Sequence, residues 1–355
     1  MAKKRSGWQQ MDKASTPLTQ LLHHFEVANQ TEGKSDETVT WYNNRLGVFL
    51  RWLQERNEGL LRDFTKETVR EFIRYLQTKS TKFERNRYTP TREAKLSTHT
   101  VNGYARALRG FSSWLYREKY TESNVLKELK PPKVRKEVID TLSEEEMRRL
   151  FAAINPDTPL GCRNYAILVT FLDTGLRCSE LCNLTLENAR IEEGYLKVLG
   201  KGDKERLVPL GAACKFALLR WRDHFRLSFV VQDTPLFFLS NEGRELTVGA
   251  IEQFVGRLGT RAGVPRLYAH LLRHTFATSY LVHQVGDSLR LQQILGHTTL
   301  EMTRRYANAA AIQQNLLERR SSPLDVMGLG RLPSHRRGRP NKPRDPRAVD
   351  SRAGK

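Results

Sequence analysis

The sequence predicts a mainly α-helical protein of two domains, with a small antiparallel β-sheet in the second domain. Apolar residues in the first part of the chain recur at helical spacing over several segments, without the alternation that a half-buried strand shows. Two prolines inside the charged segment Lys130–Lys133 then interrupt the pattern, as a linker does. Beyond them, helical segments flank three short segments with β character. A length of 355 residues suits two domains of roughly 150 residues each, with some extra.

The first domain, predicted over residues 15–130 after a flexible N-terminus at 1–14, is a small helical bundle with a basic surface. One helix is predicted to start near Pro17. Three more follow apolar stripes, formed by Val39, Tyr42, Leu46, Phe49, Leu50 and Leu53, by Val69, Phe72, Ile73 and Leu76, and by Val101, Tyr104, Leu108, Phe111 and Leu115. Thr65 and Ser97 stand where N-caps belong. The Arg-rich segment Lys82–Lys95 contains a proline and predicts a loop.

The second domain, predicted over residues 143–320 after a linker at 131–142, opens with the capping box Ser143–Glu146. An antiparallel sheet is predicted from Arg190–Ile191, Tyr195–Val198 and Leu207–Pro209, with a turn at Lys201–Lys204 between the last two strands. Helices are predicted at Ala212–Arg226, Val248–Arg261, Leu271–His283 and Leu289–Leu295. Residues 321–355, rich in Arg, Pro and Gly, predict a disordered basic tail.

The composition indicates a polyanionic partner. The chain carries 59 Lys and Arg against 39 Asp and Glu, a formal net charge of +20. Each phosphate that such a protein neutralises releases condensed counterions, whereas an enzyme of small neutral metabolites needs no such charge. A basic protein merely kept soluble by its charge is the alternative. The N-terminus shows no apolar signal core, and four cysteines without a CxxC pair argue against zinc and for a reduced cytosolic setting.

Four segments of the second domain carry candidate chemistry: Thr174–Leu181, Gly200–Lys204, His270–His274, and Leu295–His297 followed by Tyr306. Arg177 and Glu180 lie three residues apart on one helical face, and a guanidinium held in this way can grip two phosphate oxygens. Taken singly, the same features have plainer explanations, which are a surface ion pair, a solvated turn and ordinary packing residues. His270 and His274 at i, i+4 lack the Glu of a zinc helix, which argues against a metal.

Together the four segments resemble the signature of the tyrosine recombinases, the phage-integrase and Xer type. Arg177 lies in Thr-Gly-Leu-Arg-x-Ser-Glu-Leu, and Lys201 lies in Gly-Lys-Gly-x-Lys-Glu-Arg-x-Val-Pro-Leu. His270 and Arg273 lie in His-x-Leu-Arg-His-Thr-Phe-Ala-Thr, and Tyr306 follows the His297 of Leu-Gly-His at the expected distance. The first domain resembles the family's SAM-like core-binding domain in helix pattern only. The two domains would then form a clamp around DNA. One departure is Cys178, a position where the family more often has an apolar β-branched residue.

The resemblance implies DNA strand breakage and rejoining without metal, nucleotide or other cofactor. Tyr306 would attack the scissile phosphate, form a 3′-phosphotyrosyl link and free a 5′-hydroxyl. Arg177, Arg273 and His297 would stabilise the charge on the phosphate oxygens. His270 is the candidate acceptor of the tyrosine proton, Lys201 is the candidate general acid, and Glu180 orients Arg177.

The resemblance also implies partners, namely double-stranded recombination sites and a homotetramer on two of them, formed from free monomers or dimers. An accessory DNA-binding factor and association with the cytoplasmic nucleoid are further expectations. The segment Ala309–Leu317 would dock on a neighbouring subunit or, equally, pack on its own domain. Arg337 and Arg339 lie in an Arg-Gly-Arg-Pro sequence that resembles an AT-hook, with a non-specific electrostatic tail as the alternative.

The biological setting is open at this point. We expect a recombinase of a mobile genetic element, with a chromosome-dimer-resolving Xer-type enzyme as the alternative. A telomere resolvase or a type IB topoisomerase is a weaker alternative. A hypothesis from a different functional class is a sequence-specific DNA-binding protein without catalysis, since Leu289–Ala307 is compatible with a helix-turn-helix. Such a binder has no use for Arg177, Lys201, Arg273 and Tyr306 together.

Overall fold

The computed structural model describes residues 13–79, 81–82, 92–134, 139–200, 204–283 and 285–317. Contacts divide the chain into two compact units, Met1–Glu137 and Val138–Lys355. The fold class predicted from the sequence is confirmed, because both units are mainly helical and the second holds one small antiparallel sheet. No helix among these residues is long and apolar enough to cross a membrane.

Unit 1 is built on four helices: α1 (Leu18–Thr31), α2 (Asp36–Gln54), α3 (Lys66–Thr78) and α4 (Thr98–Arg117). Their apolar stripes meet in one core rich in aromatic rings, including Phe25, Phe49, Phe72, Phe111 and Trp114. Two predicted N-caps are confirmed: the Thr65 hydroxyl accepts a hydrogen bond from the Thr68 amide, and the Ser97 hydroxyl accepts one from the Thr100 amide.

The segment between α3 and α4 differs from the predicted loop. It contains a short antiparallel ribbon of β1 (Thr81–Lys82) and β2 (Arg92–Glu93), in which Thr81 pairs with Glu93 and Lys82 with Arg92. Strand pairing joins the two ends of the basic segment, and the residues between them, 83–91, lie outside the described residues. The sequence does not predict this ribbon, because two-residue strands are too short to show an alternation of apolar and polar residues.

Unit 2 begins with α5 (Glu144–Ala152), whose predicted capping box is confirmed. The further helices are α6 (Pro159–Thr174), α7 (Cys178–Cys182), α8 (Ala212–Arg220), α9 (Val248–Arg261), α10 (Ala269–Val282), α11 (Ser288–Leu295) and α12 (Leu300–Leu317). The sheet follows chain order through β3 (Ala189–Arg190), β4 (Tyr195–Leu199) and β5 (Glu205–Pro209), and all neighbours are antiparallel. The helix predicted at Ala212–Arg226 ends earlier as an α-helix and continues as a π-helical turn, Trp221–Phe225.

Helix α10 is central to unit 2. It packs against α6 and α12, and its buried face includes Leu271, Leu272, Phe276 and Ala277. Arg273 lies on the same helix among these apolar residues, only 2% exposed. A charged side chain so placed needs hydrogen-bond partners inside the core, which makes this helix the place to look for a site.

Leu289–Ala307 and Ala309–Leu317 are treated as separate segments in the sequence prediction, whereas helix α12 spans the junction between them. This helix runs unbroken for 18 residues, so Tyr306 lies within a helix that continues through Ala309–Leu317, the segment for which docking on a neighbouring subunit and packing on its own domain are equal alternatives from the sequence. Thr303, Tyr306, Ala309 and Ala310 are all buried on the side facing the unit. The Gln314 side-chain amide donates to the carbonyls of Leu281 and Val282 at the end of α10. The arrangement corresponds to packing on the helix's own domain.

Replacing Gly175 by alanine should lower the free energy of unfolding by at least about 2 kcal/mol. Gly175 ends α6 with φ +61°, in the left-handed region that costs an L-residue about 1–2 kcal/mol. An added Cβ would also lie 2.4 Å from Phe276 Cδ1 and 2.9 Å from Leu295 Cδ2. Urea denaturation followed by circular dichroism measures the change.

Gly256→Ala is the matched control. Gly256 lies inside α9 with nothing within 4 Å of the added carbon, so the substitution should stabilise the protein by about 0.5–1 kcal/mol. Equal effects of the two substitutions would contradict the role given to the Gly175 conformation.

Candidate active site

The site is built around one buried carboxylate, that of Glu180 on α7. Arg177, the residue before this short helix, donates its backbone N–H to Glu180 Oε2 (2.8 Å) and its Nη1–H to Oε1 (2.7 Å). The side chain of Glu180 is only 5% exposed, whereas that of Arg177 is 33% exposed. The carboxylate therefore holds Arg177 in place, while part of the arginine's guanidinium stays exposed and can bind a ligand.

Arg206 on β5 grips the same carboxylate from the other side. Its Nη1 and Nη2 lie 2.8 Å from Oε1 and Oε2 of Glu180, a bidentate pair. Its Nε–H donates to the Ile294 carbonyl on α11 at 2.7 Å. Although burial raises the pKa of Glu180, the hydrogen bonds from Arg206 and from the Arg177 backbone, with both charges, hold it below its ordinary value. One ionised carboxylate thus connects α7, the sheet and α11.

Arg273 is held by backbone carbonyls. Its Nη1–H donates to the Gly175 carbonyl, and its Nη2–H donates to the Leu295 carbonyl at 2.9 Å. Burial, and then repulsion by Arg177, lower the pKa of this guanidinium to about 10, so it stays charged at neutral pH. A buried cation that rests on neutral carbonyls is a strong attractor for an anion.

His297 lies between Arg273 and α12. Its Nε2 is 3.1 Å from Arg273 Nη2, and its Nδ1 is 2.9 Å from the Thr303 hydroxyl. Because an arginine only donates, Nε2 accepts here, and Nδ1–H donates to Thr303. Burial, followed by the charges of Arg273, Arg177 and Arg206, lowers the pKa of His297 to about 4. The ring is therefore neutral, and the threonine hydroxyl, which can donate or accept, permits either tautomer.

Tyr306 packs against two of the site's histidines. Its ring stacks on that of His297 with centroids 5.9 Å apart and an interplanar angle of 9°. Its hydroxyl lies 2.9 Å from Nδ1 of His274, and the side chain is only 4% exposed. Burial raises the pKa of Tyr306, while the charges of Arg273 and Arg305 and a hydrogen bond with Arg273 oppose the rise. The phenol is thus protonated at neutral pH and close to the arginine pair.

His270 and His274 occupy successive turns of α10, with ring centroids 4.7 Å apart and perpendicular planes. His270 lines an open pocket together with Arg177, Cys178, Glu252 and other residues. Burial lowers the pKa of His270, and so do the charges of Arg273 and Arg177. The two histidines therefore face different neighbours: His270 lies beside Arg177, and His274 contacts Tyr306.

The structure brings five of the predicted catalytic residues into one site: Arg177, His270, Arg273, His297 and Tyr306. Glu180 lies beside them as expected. The predicted general acid Lys201 and the tail residues Arg337 and Arg339 lie outside the described residues. Among the described residues no group of three or more His, Cys, Asp or Glu is placed to hold a metal ion.

Two site residues were missed in the sequence. Arg206 lies in the same sequence segment as Lys201. A Glu-Arg pair on a strand does not by itself predict that the arginine binds Glu180, a residue on a different element. His274 has a clearer signal, because its i, i+4 spacing puts it on the same helical face as His270. Its contact with Tyr306 joins residues 32 positions apart, which only the packing of α10 against α12 determines.

The charges of the site do not balance. Two guanidinium groups, those of Arg177 and Arg206, share the Glu180 carboxylate, whereas Arg273 is bound only to backbone carbonyls and to the neutral His297. The surplus of positive charge is partly buried, where electrostatic interactions are stronger than in water. Such a site can hold a phosphate by its oxygens with a phenol hydroxyl alongside.

Comparisons with known proteins identify a family and several relatives. Residues 140–312 match the model of the phage integrase family. The tyrosine recombinase XerC of Oceanobacillus iheyensis is 34% identical over 280 residues, covering 77% of this chain and 86% of that protein. The tyrosine recombinase XerD of Shewanella oneidensis is 32% identical over 299 residues, covering 82% and 93%.

Solved structures share the fold. A lambda integrase dimer bound to a COC′ core site superposes with a TM-score of 0.64 at 16% identity, covering 90% of this chain and 84% of that one. The XerH site-specific recombinase bound to difH substrate superposes with a TM-score of 0.59 at 25% identity, covering 76% and 75%.

Glu180→Gln should lower the free energy of unfolding at neutral pH by about 3–5 kcal/mol, because it leaves buried arginines without a counter-charge. The pKa of Glu180 is lower in the folded protein than in the unfolded chain. Its stabilising contribution is therefore complete above the unfolded pKa of about 4.3, and it is lost as pH falls through the lower folded value. Urea denaturation at neutral pH and below pH 4 should show the difference between wild type and variant narrowing in acid.

Glu193→Gln serves as the control. Glu193 pairs with Arg190 at 3.8 Å, and both side chains are about half exposed, so its loss should change stability by less than about 1 kcal/mol. A Glu180→Gln variant as stable as this control would show that the carboxylate does not support the site.

Proposed function

This chain belongs to the phage integrase family of tyrosine recombinases, and on that premise we propose that it breaks and rejoins DNA strands at specific sites through a 3′-phosphotyrosyl intermediate. The observation that carries the proposal is a buried tyrosine that contacts two histidines, His274 at its hydroxyl and His297 at its ring, beside Arg273, a buried arginine without a carboxylate partner. The proposal needs no metal or nucleotide, because the energy of the phosphodiester is kept in the covalent adduct.

In this proposal Arg177 and Arg273 bind the non-bridging oxygens of the scissile phosphate. Charge accumulates on these oxygens in the transition state, and fixed guanidinium donors stabilise it there. The exposed part of Arg177 and the unbalanced charge of Arg273 suit this role. His270, which lines the pocket beside Arg177, completes the phosphate-binding side of the site.

His297 is proposed to donate a further hydrogen bond to the same oxygens, which requires a change of tautomer. In the free site its Nε2 accepts from Arg273. When the phosphate takes that arginine donor, the ring proton can move to Nε2, provided that the Thr303 hydroxyl turns to donate to Nδ1. Thr303 thus holds the ring in place in both states.

Tyr306 is the proposed nucleophile and Lys201 the proposed general acid that protonates the leaving 5′-oxygen. Arg206, which anchors β5 to Glu180 and α11, supports the strand that follows Lys201 in the chain.

We propose double-stranded DNA as the substrate and a homotetramer on two sites as the working assembly. A solved lambda integrase tetramer bound to a Holliday junction, which shares this fold, is the precedent for such an assembly. A basic tail with Arg337 and Arg339 would add non-specific affinity or minor-groove contacts, and the protein would act at the nucleoid in the cytoplasm. We propose a mobile-element recombinase. The XerC and XerD relatives favour the alternative, a chromosome-dimer-resolving enzyme.

Covalent capture tests the function. Wild-type protein mixed with sheared, nicked genomic DNA of the source organism should become linked to DNA and survive denaturation with detergent. Tyr306→Phe should form no adduct while it keeps its fold and its DNA affinity, since only the nucleophilic oxygen is lost. Adducts should persist when divalent metal is chelated.

Sequencing the captured DNA distinguishes the settings. The ends of a mobile element support the proposed role, and a single chromosomal palindrome per replicon supports the chromosome-dimer alternative. Specific binding with no adduct from wild type would establish a non-catalytic DNA-binding protein. An adduct from Tyr306→Phe would refute the assigned nucleophile.

A sulfur leaving group tests Lys201. On the captured site, Lys201→Ala should slow adduct formation by about 10²–10⁴-fold, the usual size of a general-acid effect. Replacing the bridging 5′-oxygen by sulfur should restore most of the rate, because a thiolate leaves without a proton. Lys204→Ala, three residues along the chain, is the matched control and should behave as wild type. A Lys201→Ala defect of the same size on both substrates would exclude the lysine as the acid.

A further inference from the structure

His274 holds the hydroxyl that is proposed to attack the phosphate. Its Nδ1 lies 2.9 Å from the oxygen of Tyr306, a hydrogen-bond distance between a half-buried histidine and a buried tyrosine. Ring centroids of the pair are 5.6 Å apart, and the Tyr306 ring is also stacked on His297. The tyrosine is therefore fixed by one ring on its face and one nitrogen at its oxygen.

The direction of this hydrogen bond follows from the charges around it. Burial, with repulsion by His270, Arg305 and Arg273, lowers the pKa of His274 to about 4, so the imidazole is neutral. Tyr306 keeps its proton at neutral pH, because burial raises the pKa of its phenol. The phenol therefore donates and Nδ1 accepts, which leaves the ring proton of His274 on Nε2.

The other histidines are less well placed for this proton. His270, the candidate acceptor from the sequence, lies one helical turn away from His274 and lines the pocket beside Arg177. His297 has its nitrogens engaged by Arg273 and Thr303, and it meets Tyr306 by ring stacking. The hydrogen bond to the attacking oxygen belongs to His274.

We propose that His274 is a catalytic residue of the strand-cleavage step and takes the proton of Tyr306. This inference rests on the proposed function. The bond between Tyr306 Oη and phosphorus forms while the bond from phosphorus to the 5′-oxygen breaks. The phenol proton passes to Nδ1 of His274, and the leaving oxygen takes a proton from the general acid. In the rejoining step the imidazolium returns its proton to the tyrosine oxygen, so no net proton is consumed.

The basicity of His274 depends on the charges around it, and a bound phosphate changes those charges. Arg273 disfavours a protonated His274 while the site is empty. A bound phosphate brings negative charge to that same arginine and so removes part of the repulsion. A bound phosphate therefore favours the protonated form of His274 more than the empty site does.

Two substitutions at His274 separate proton transfer from positioning. Asparagine places an amide oxygen close to the position of Nδ1, so it can hold the hydroxyl but cannot accept its proton. Alanine does neither. We expect His274→Ala and His274→Asn both to slow single-turnover adduct formation by about 10²-fold or more at saturating protein. His283→Asn, an exposed histidine just after the same helix, is the control and should retain the wild-type rate.

A fluorinated tyrosine at position 306 gives the decisive comparison. Trifluorotyrosine, introduced by codon suppression, has a phenol that ionises near neutral pH and depends less on a proton acceptor. It should bring His274→Asn and His274→Ala to within about 10-fold of the wild-type rate. It should not rescue Arg273→Ala, whose defect lies in phosphate binding.

The outcomes separate clearly. A wild-type rate for His274→Asn would show that His274 only positions the hydroxyl, and a wild-type rate for His274→Ala would remove it from the step. If trifluorotyrosine did not bring the rates of the two His274 variants closer to the wild-type rate, the inference would also be overturned. If the wild-type protein itself forms no adduct with any captured or nicked DNA, the proposed function fails, and the inference falls with it.

Discussion

The site depends on a single buried ion pair network, the carboxylate of Glu180 between Arg177 and Arg206. Two elements far apart in the sequence, α7 and β5, are joined there, and the Nε–H of Arg206 extends the connection to α11 through the Ile294 carbonyl. Buried ion pairs of this kind add little net stability, but removing one partner leaves a costly charge behind. The network is better understood as a device that fixes where Arg177 points, which is what a preorganised phosphate site requires.

A second feature of the site is that its histidines are held in the neutral form. Burial, and after it the positive charges nearby, lower the pKa of His274 and of His297 to about 4, and they lower that of His270 as well. The histidines therefore exchange hydrogen bonds as neutral rings, and the positive charge that an anion meets comes from guanidinium groups alone. Titration of His274 and His297 does not alter that charge near neutral pH, because both rings are already deprotonated there.

Much of this protein could be predicted from its sequence. Helical stripes, N-caps at Thr65 and Ser97 and the capping box at Ser143 are local signals, and the structure reproduces them. The motif residues Arg177, Arg273, His297 and Tyr306 could be named, because their types and spacing match a family signature. Contacts between distant elements could not be predicted, and these include the fold of Arg206 onto Glu180 and the contact of His274 with Tyr306. Both arise when helices and strands pack, and periodicity carries no information about which faces meet.

Helix α12 places Tyr306, the proposed nucleophile, within one unbroken helix. Tyr306 and Gln314 stand eight residues apart on one unbroken helix, about 12 Å along its axis, and Gln314 is tied to the last carbonyls of α10. His274, which holds the Tyr306 hydroxyl, lies on that same helix α10. The two helices are therefore joined by side-chain hydrogen bonds at two places, at the Tyr306 hydroxyl and at Gln314. Because α12 is unbroken between these places, a movement of its end away from α10 would also move Tyr306 relative to His274.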